Sequence, residues 1–185
     1  MQNIHWDQVF PGEIPGNGAT EPELQAFVAA LAQPVSHEEV ETISAAKTDP
    51  EVAENKQPPH RHTDPQSWRL PAKPLPPAYL SFLRWSNGGS FYNGARGFNF
   101  LSTSTVRSFA LGYRLPERMP GSLPFAFDGD NNFYVFDMRS DPVNGEYPIL
   151  LVRAEDMRFD DAVHVANSFV EACEGKTNPA LRLKD

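Results

Sequence analysis

LPPAYLSFLRWSNGG, residues 75–89, decides how the rest of the chain is read. Pro76 and Pro77 suit the first turn of a helix, where a missing N–H is no loss. Tyr79, Phe82, Leu83 and Ser86 then share one helical face, and Leu75 can pack behind them. Trp85 lies at the edge of that stripe. The glycine pair raises another reading, a phosphate cradle. A P-loop requires G-x-x-x-x-G-K-S/T between a strand and a helix. Here Gly88 and Gly89 follow a helix, and no Lys-Ser or Lys-Thr comes after them. The spacing therefore predicts a helix that stops at Asn87, with Gly88 or Gly89 taking the positive φ of a helix C′ position.

Upstream, Thr20–Gln33 reads as a helix. Thr20 and Glu23 form a capping box, and Leu24, Phe27, Val28 and Leu31 fall on one face. Ser36 and Glu39 open a second helix with a thin stripe of Val40 and Ile43. Residues 47–69 show no period and hold four prolines, so they read as a surface linker, ordered where Trp68 finds a pocket. Downstream, Gly97–Leu101 suits a strand and Thr103–Tyr113 returns to helical spacing. PFAFDGDNNFYVFDM, residues 124–138, holds two aromatic-rich runs around a polar loop, a β-hairpin. Tyr147–Val152 is a further strand. Asp161 is expected to cap a helix through Val163, Ala166, Phe169, Val170 and Cys173, closed by Gly175. The last ten residues are expected to fray. Strands cluster in 97–152 with helices outside them. That segregation predicts α+β, a mostly antiparallel central sheet with helices packed on one face.

Charge divides the chain. Residues 1–70 carry eleven acids and four bases, whereas 71–185 carry thirteen acids and twelve bases, within a net charge of −8. The expected organisation is an acidic helical extension and Pro-rich linker over 1–69, a nearly neutral body over 70–175, and a tail over 176–185. An acidic surface repels nucleic acid and anionic lipid and attracts a basic partner. The lone Cys173 cannot form an internal disulfide, which fits a reducing compartment. MQNIHWDQVF shows no secretory signal, and no apolar run approaches the ~20 residues of a membrane span. A soluble, cytoplasmic protein is expected.

Tests for chemistry fail one after another. Gly16-Asn17-Gly18 lacks the third glycine of a dinucleotide loop, since Glu21 stands there. Asp128, Asp130 and Asn132 imitate the start of a calcium loop. Phe133 stands where that loop needs glycine, and Arg139 where it needs a bidentate glutamate. His37 has no second histidine at H-E-x-x-H spacing. His60 and His62 lie in a proline-rich stretch with Arg61 between them, a solvated loop rather than a metal site. Cys173 falls on an apolar helix face, where an inert thiol is expected. His164 has no orienting partner. No basic patch with interleaved aromatics supports direct nucleic-acid binding. The reading is non-enzymatic, with no cofactor and no metal.

LPPAYLSFLRWSNGG resembles the Leu-Pro-x-x-Tyr-x-x-Phe-Leu-x-x-x-Asn-Gly-Gly signature of the SUKH superfamily. It looks closest to the Smi/Knr branch of fungal cell-wall assembly regulators. The residues that carry the resemblance are Leu75, Pro76, Tyr79, Phe82, Leu83, Asn87, Gly88 and Gly89. LPFAFDGDNNFYVFDM, EYPILLV and VANSFVEACEG follow in the family's order. The long linker at 47–69 departs from the family pattern. The resemblance implies helices around a central sheet, SUKH-like, and no catalysis. Bacterial members bind and neutralise toxins, often nucleases, while fungal members are regulatory interaction proteins. A cognate toxin domain with a basic surface is the partner expected, with a regulatory or scaffold module for an endogenous partner as the alternative. Contacts are expected near the exposed end of the sheet and the hairpin loop, at Phe91, Tyr92, Asp128 and Asp130. The acids Glu155, Asp156, Asp160 and Asp161 read as a solvated loop and helix N-terminus, with Asp160 and Asp161 offered as a second contact patch for a cationic partner.

Overall fold

The computed structural model describes residues 4–45, 63–155 and 157–183. Its centre is an antiparallel sheet of six strands, hydrogen-bonded in chain order. They are β1 (Gly89–Asn93), β2 (Arg96–Phe100), β3 (Ser122–Phe127), β4 (Asn132–Asp137), β5 (Ile149–Arg153) and β6 (Val163–Ala166). Around it lie α1 (Trp6–Val9), α2 (Glu21–Ala32), α3 (His37–Ala45), α4 (Pro77–Trp85), α5 (Val106–Gly112), α6 (Leu115–Arg118) and α7 (Phe169–Glu174). This is the α+β class expected, with the central hairpin of β3 and β4 in place.

Aromatic packing organises the inner face of the sheet. α4 buries Ala78, Tyr79, Phe82 and Leu83 against it. Phe10, just past α1, is fully buried. Its ring centroid lies 5.2–6.4 Å from those of Phe82, Trp85, Phe91, Phe98 and Phe100. Each buried ring of this kind contributes roughly 1.5–3 kcal/mol. Leu24, Phe27 and Leu31 of α2 join the same core cluster. The acidic first segment is thus part of the central core. Val28, expected on the apolar face of α2, is instead 45% exposed.

The outer face is covered over half its width. Phe133 and Val135 of β4 and Leu150 and Val152 of β5 pack under Leu115 of α6 and Met119 just after it. Packing on one face only is therefore corrected. β4 and β5 are dry on both faces, which is why NFYVFD and ILLVR read as near-continuous apolar runs.

Two charged clamps tie outlying pieces down. From α5, the Arg107 guanidinium donates to the carbonyls of Ala30 (2.6 Å), Gln33 (3.1 Å) and Pro34 (2.9 Å), and forks onto the Glu39 carboxylate (2.7 and 2.9 Å). It closes the C-terminal end of α2, whose last carbonyls have no partner within the helix. The Arg107 bonds hold the Glu39 carboxyl down to about 2, below its ordinary value. From β2, buried Arg96 donates to the carbonyls of Ala172 (2.7 Å) and Thr177 (3.0 Å), while Asn93 Nδ2 donates to that of Cys173 (3.0 Å). The β1–β2 hairpin thereby seats the C-terminal end of α7.

Three further expectations are corrected. The helix predicted from Asp161 is two elements. VHVA forms β6, and α7 begins after Ser168, whose side chain accepts from the Glu171 N–H. α4 ends at Trp85 with Ser86 in extended conformation, before Asn87. Both glycines take positive φ, 91° at Gly88 and 115° at Gly89, as the chain turns into β1. A Cβ on Gly88 would lie 3.0 Å from the Phe100 carbonyl oxygen, so the pair allows a close crossing of loop and strand. The C-terminal residues form a 3-10 turn at Pro179–Arg182, and Leu183 packs on the core. Of the linker, residues 63–69 are described. Trp68 is buried with Ile43 and Leu111, as expected of a residue that finds a pocket. His60 and His62 lie outside the described residues.

Candidate functional site

The resemblance motif serves the fold. Leu75, Pro76, Tyr79, Phe82 and Leu83 are buried. Asn87 is a clamp. Its Oδ1 accepts from the Thr103 N–H (2.8 Å) and its Nδ2 donates to Thr103 Oγ1 (3.1 Å). Ser86, fully buried, accepts from the Gly16 N–H (3.0 Å) and donates to the Gly88 carbonyl (2.7 Å). These bonds hold the N-terminal segment and the start of β1 to the end of α4.

What α4 positions is an open surface. α5 and α6 cover β3 to β5, and the outer face of β1 and β2 carries Ser90, Tyr92, Gly97 and Asn99. Alternation sends Phe91 and Phe98 into the core and these four outward. Tyr92 is 57% exposed. Its ring lies on Gly97, where an added Cβ would sit 2.9 Å from it and 3.8 Å from the Asp128 carbonyl oxygen. Ser90 Oγ donates to Asn99 Oδ1 (2.6 Å), and Asn99 pairs with Phe127. The face therefore runs without a break into the hairpin loop after β3.

The expected contact residues separate into three kinds. Tyr92, Asp128 and Asp130 come together on this face and loop. The Asp128 carboxylate is engaged within its own turn, accepting from the N–H of Asp130 (2.8 Å) and Asn132 (3.1 Å) and from Asn132 Nδ2 (2.7 Å). Asp130 is exposed, and among the described residues no hydrogen bond or ion pair engages its carboxylate. Phe91 is 1% exposed, so its side chain is core and unavailable to a partner. Asp160 and Asp161 lie elsewhere, in a 3-10 turn at Phe159–Asp161. Phe159 there stacks under Arg139, which leaves the other end of β4 from the hairpin loop, and Asp161 pairs with Arg158.

Glu13 belongs to the site although nothing marked it beforehand. Its Oε1 accepts from the Tyr92 N–H at 3.2 Å across 79 residues of sequence. A local signal did exist for the anchor behind it. Trp6, Val9 and Phe10 stand at i, i+3 and i+4, a helical apolar face. No local pattern could foretell which strand Glu13 would reach.

Elsewhere the chemistry is quiet. Burial pushes the Cys173 thiol well above its ordinary value, which disfavours a thiolate nucleophile. Among the described residues no group of three or more His, Cys, Asp or Glu could hold a metal ion. A groove of about 580 Å³ opens between α1 and α7, lined in part by His5, Val9, Val170 and Glu174. Its ionisable groups make no hydrogen bond or ion pair with one another among the described residues. No described helix is long and apolar enough to cross a membrane.

No curated protein matches the chain. The model of the SMI1 / KNR4 family (SUKH-1) matches residues 72–174, from just before α4 to the end of α7, and more than half of the sequence. That span holds the whole sheet and the Asn87 clamp, and the chain belongs to the SMI1 / KNR4 family (SUKH-1).

Proposed function

We propose that the chain is a non-enzymatic binding domain, an immunity protein that neutralises a toxin by covering its working surface. Family membership supports a protein partner. The observation that carries the reading is the uncovered half of the sheet, where exposed Tyr92 lies over Gly97, next to the hairpin loop that carries Asp130. A toxin nuclease needs a basic cleft for its own substrate. An acidic binder gains a fast on-rate from steering toward that cleft and specificity from the charge match. Tyrosine suits such a contact, since it contributes large area at low conformational cost. A stable complex buries on the order of 1,600 Å².

The test is co-expression with toxin domains encoded beside the gene, scored by growth. Rescue by the wild-type chain, lost with Tyr92→Ala and Asp130→Arg together, is the expected result. Recovery of a housekeeping enzyme as the partner, with no toxin rescued, would instead place the chain among regulatory modules.

A further inference from the structure

The free edge of β1 has an unusual occupant. Among the described residues β1 ends the sheet and pairs only with β2. Its ladder determines which main-chain groups face outward. The Tyr92 N–H meets Glu13, so it points away from β2. Alternation along the strand turns Ser90 the same way. Among the described residues no main-chain group bonds the outward N–H and C=O of Ser90 or the C=O of Tyr92.

Alongside runs the segment between buried Phe10 and Ala19, which forms neither helix nor strand. It is held by Glu13 on Tyr92, by the Gly16 N–H on Ser86 Oγ, and by the Asn87 N–H on the Asn17 carbonyl (3.0 Å). Glu13 places a side-chain carboxylate where a neighbouring strand would place a carbonyl. Next to it, Ile14 is 89% exposed, and Tyr92 is the exposed aromatic of the edge strand. An edge with unused main-chain groups, flanked by apolar side chains, is a template for another strand.

We propose that β1 receives an extended segment of the partner protein as an added strand, and that Glu13 is the acceptor this segment displaces. The inference rests on the binding role proposed above and specifies its mode. The occupant is basic in character. A displaced Glu13 leaves a carboxylate beside the new strand, and Asp130 adds another on the adjoining face. A second copy of this chain, itself at −8, is a poor match. Main-chain bonds supply affinity in such an addition, and alternate side chains supply specificity.

The full chain is tested against a displayed library of lysine-bearing peptides about nine residues long, the upper range of a strand. Selected peptides are expected to slow amide exchange at Ser90 and Tyr92 by about tenfold or more. In about 0.5 M salt, where the attraction of the Glu13 carboxylate is screened, they should bind Glu13→Ala a few-fold to tenfold more tightly than the wild type, the worth of one displaced hydrogen bond. Ser90→Pro removes an outward donor at a position an edge strand tolerates, so it should fold and lose the peptides. Absence of binders, binders that leave those two amides unchanged, or self-association through β1 would overturn the added strand. Toxin rescue that survives in Ser90→Pro would overturn this mode alone, whereas no rescue by the wild type would overturn the immunity role itself.

Discussion

Over β4 and β5 the outer face of the sheet is dry beneath α6, while over β1 and β2 the same face is open. One sheet thus has two kinds of surface, and strand composition records which is which. NFYVFD and ILLVR each run four apolar residues in succession, because both of their faces are buried. GSFYN and RGFNF alternate, with Phe91, Phe98 and Phe100 inward and Ser90, Tyr92, Gly97 and Asn99 outward. The covered half carries stability. The open half is free to carry recognition, since changing it removes little packing.

The comparison is broken most directly at Phe133, which points from β4 into the covered half and meets the rings of Phe109 and Tyr113 at 4.9 and 4.6 Å. Phe133→Ala is expected to lose about 3–5 kcal/mol of unfolding free energy, measured by urea titration. A loss below about 1 kcal/mol would mean that α5 and α6 do not seal this face.

Arg107→Ala probes how the helical cover is tied to the rest. The guanidinium side chain is 14% exposed and meets three carbonyls and a carboxylate. Charged hydrogen bonds of this kind are worth ~1.5–3 kcal/mol, and a loss in that range is expected. Amide exchange should quicken in α2 and α3 and stay unchanged in β4. Uniform quickening would show that α2 and α3 unfold only with the whole domain.

Glu39 sharpens the same point by pH. Its folded-state value, about 2, lies below the ordinary 4.5, so the unfolded chain takes up the proton first as pH falls. The stabilisation is fully present above about 4.5 and drains away as pH drops toward 2. The stability difference between wild type and Glu39→Gln is expected to be constant above pH 6 and to shrink below pH 4. A difference that does not change with pH would show that the pair with Arg107 contributes nothing through its charge.

Much of this was legible in the chain because the signals are local. Thr20–Glu23 and Ser36–Glu39 are capping pairs three residues apart, and both form. The β3–β4 hairpin announces itself by aromatic runs around Asp-Gly-Asp-Asn. The failures are of two kinds. Val163, Ala166, Phe169 and Cys173 happen to fit a helical period, which hid the alternation of VHVA. Ser168 and Glu171, three apart, were the better start signal, and Ser168 does cap α7. The bond from Tyr92 to Glu13 and the forks of Arg96 and Arg107 span dozens of residues. Such partners are chosen by tertiary packing, which no local period encodes.

Tyr92→Ala sets the smallest expected change in stability against the largest expected change in recognition. The ring rests on Gly97 and shields its backbone, a cross-strand contact worth roughly 0.2–1 kcal/mol. The N–H that meets Glu13 is main chain and survives the substitution. Thermal unfolding should therefore shift by only a few degrees. At an interface an exposed tyrosine on a rigid strand is a strong anchor, and its truncation costs about 2 kcal/mol or more of binding, some thirtyfold in Kd. Calorimetry with a rescued toxin domain, beside a melting curve of the free chain, measures both. A variant that melts early and binds normally would reverse the assignment, making the open half of the sheet a support and sending the search for the contact surface to the groove between α1 and α7.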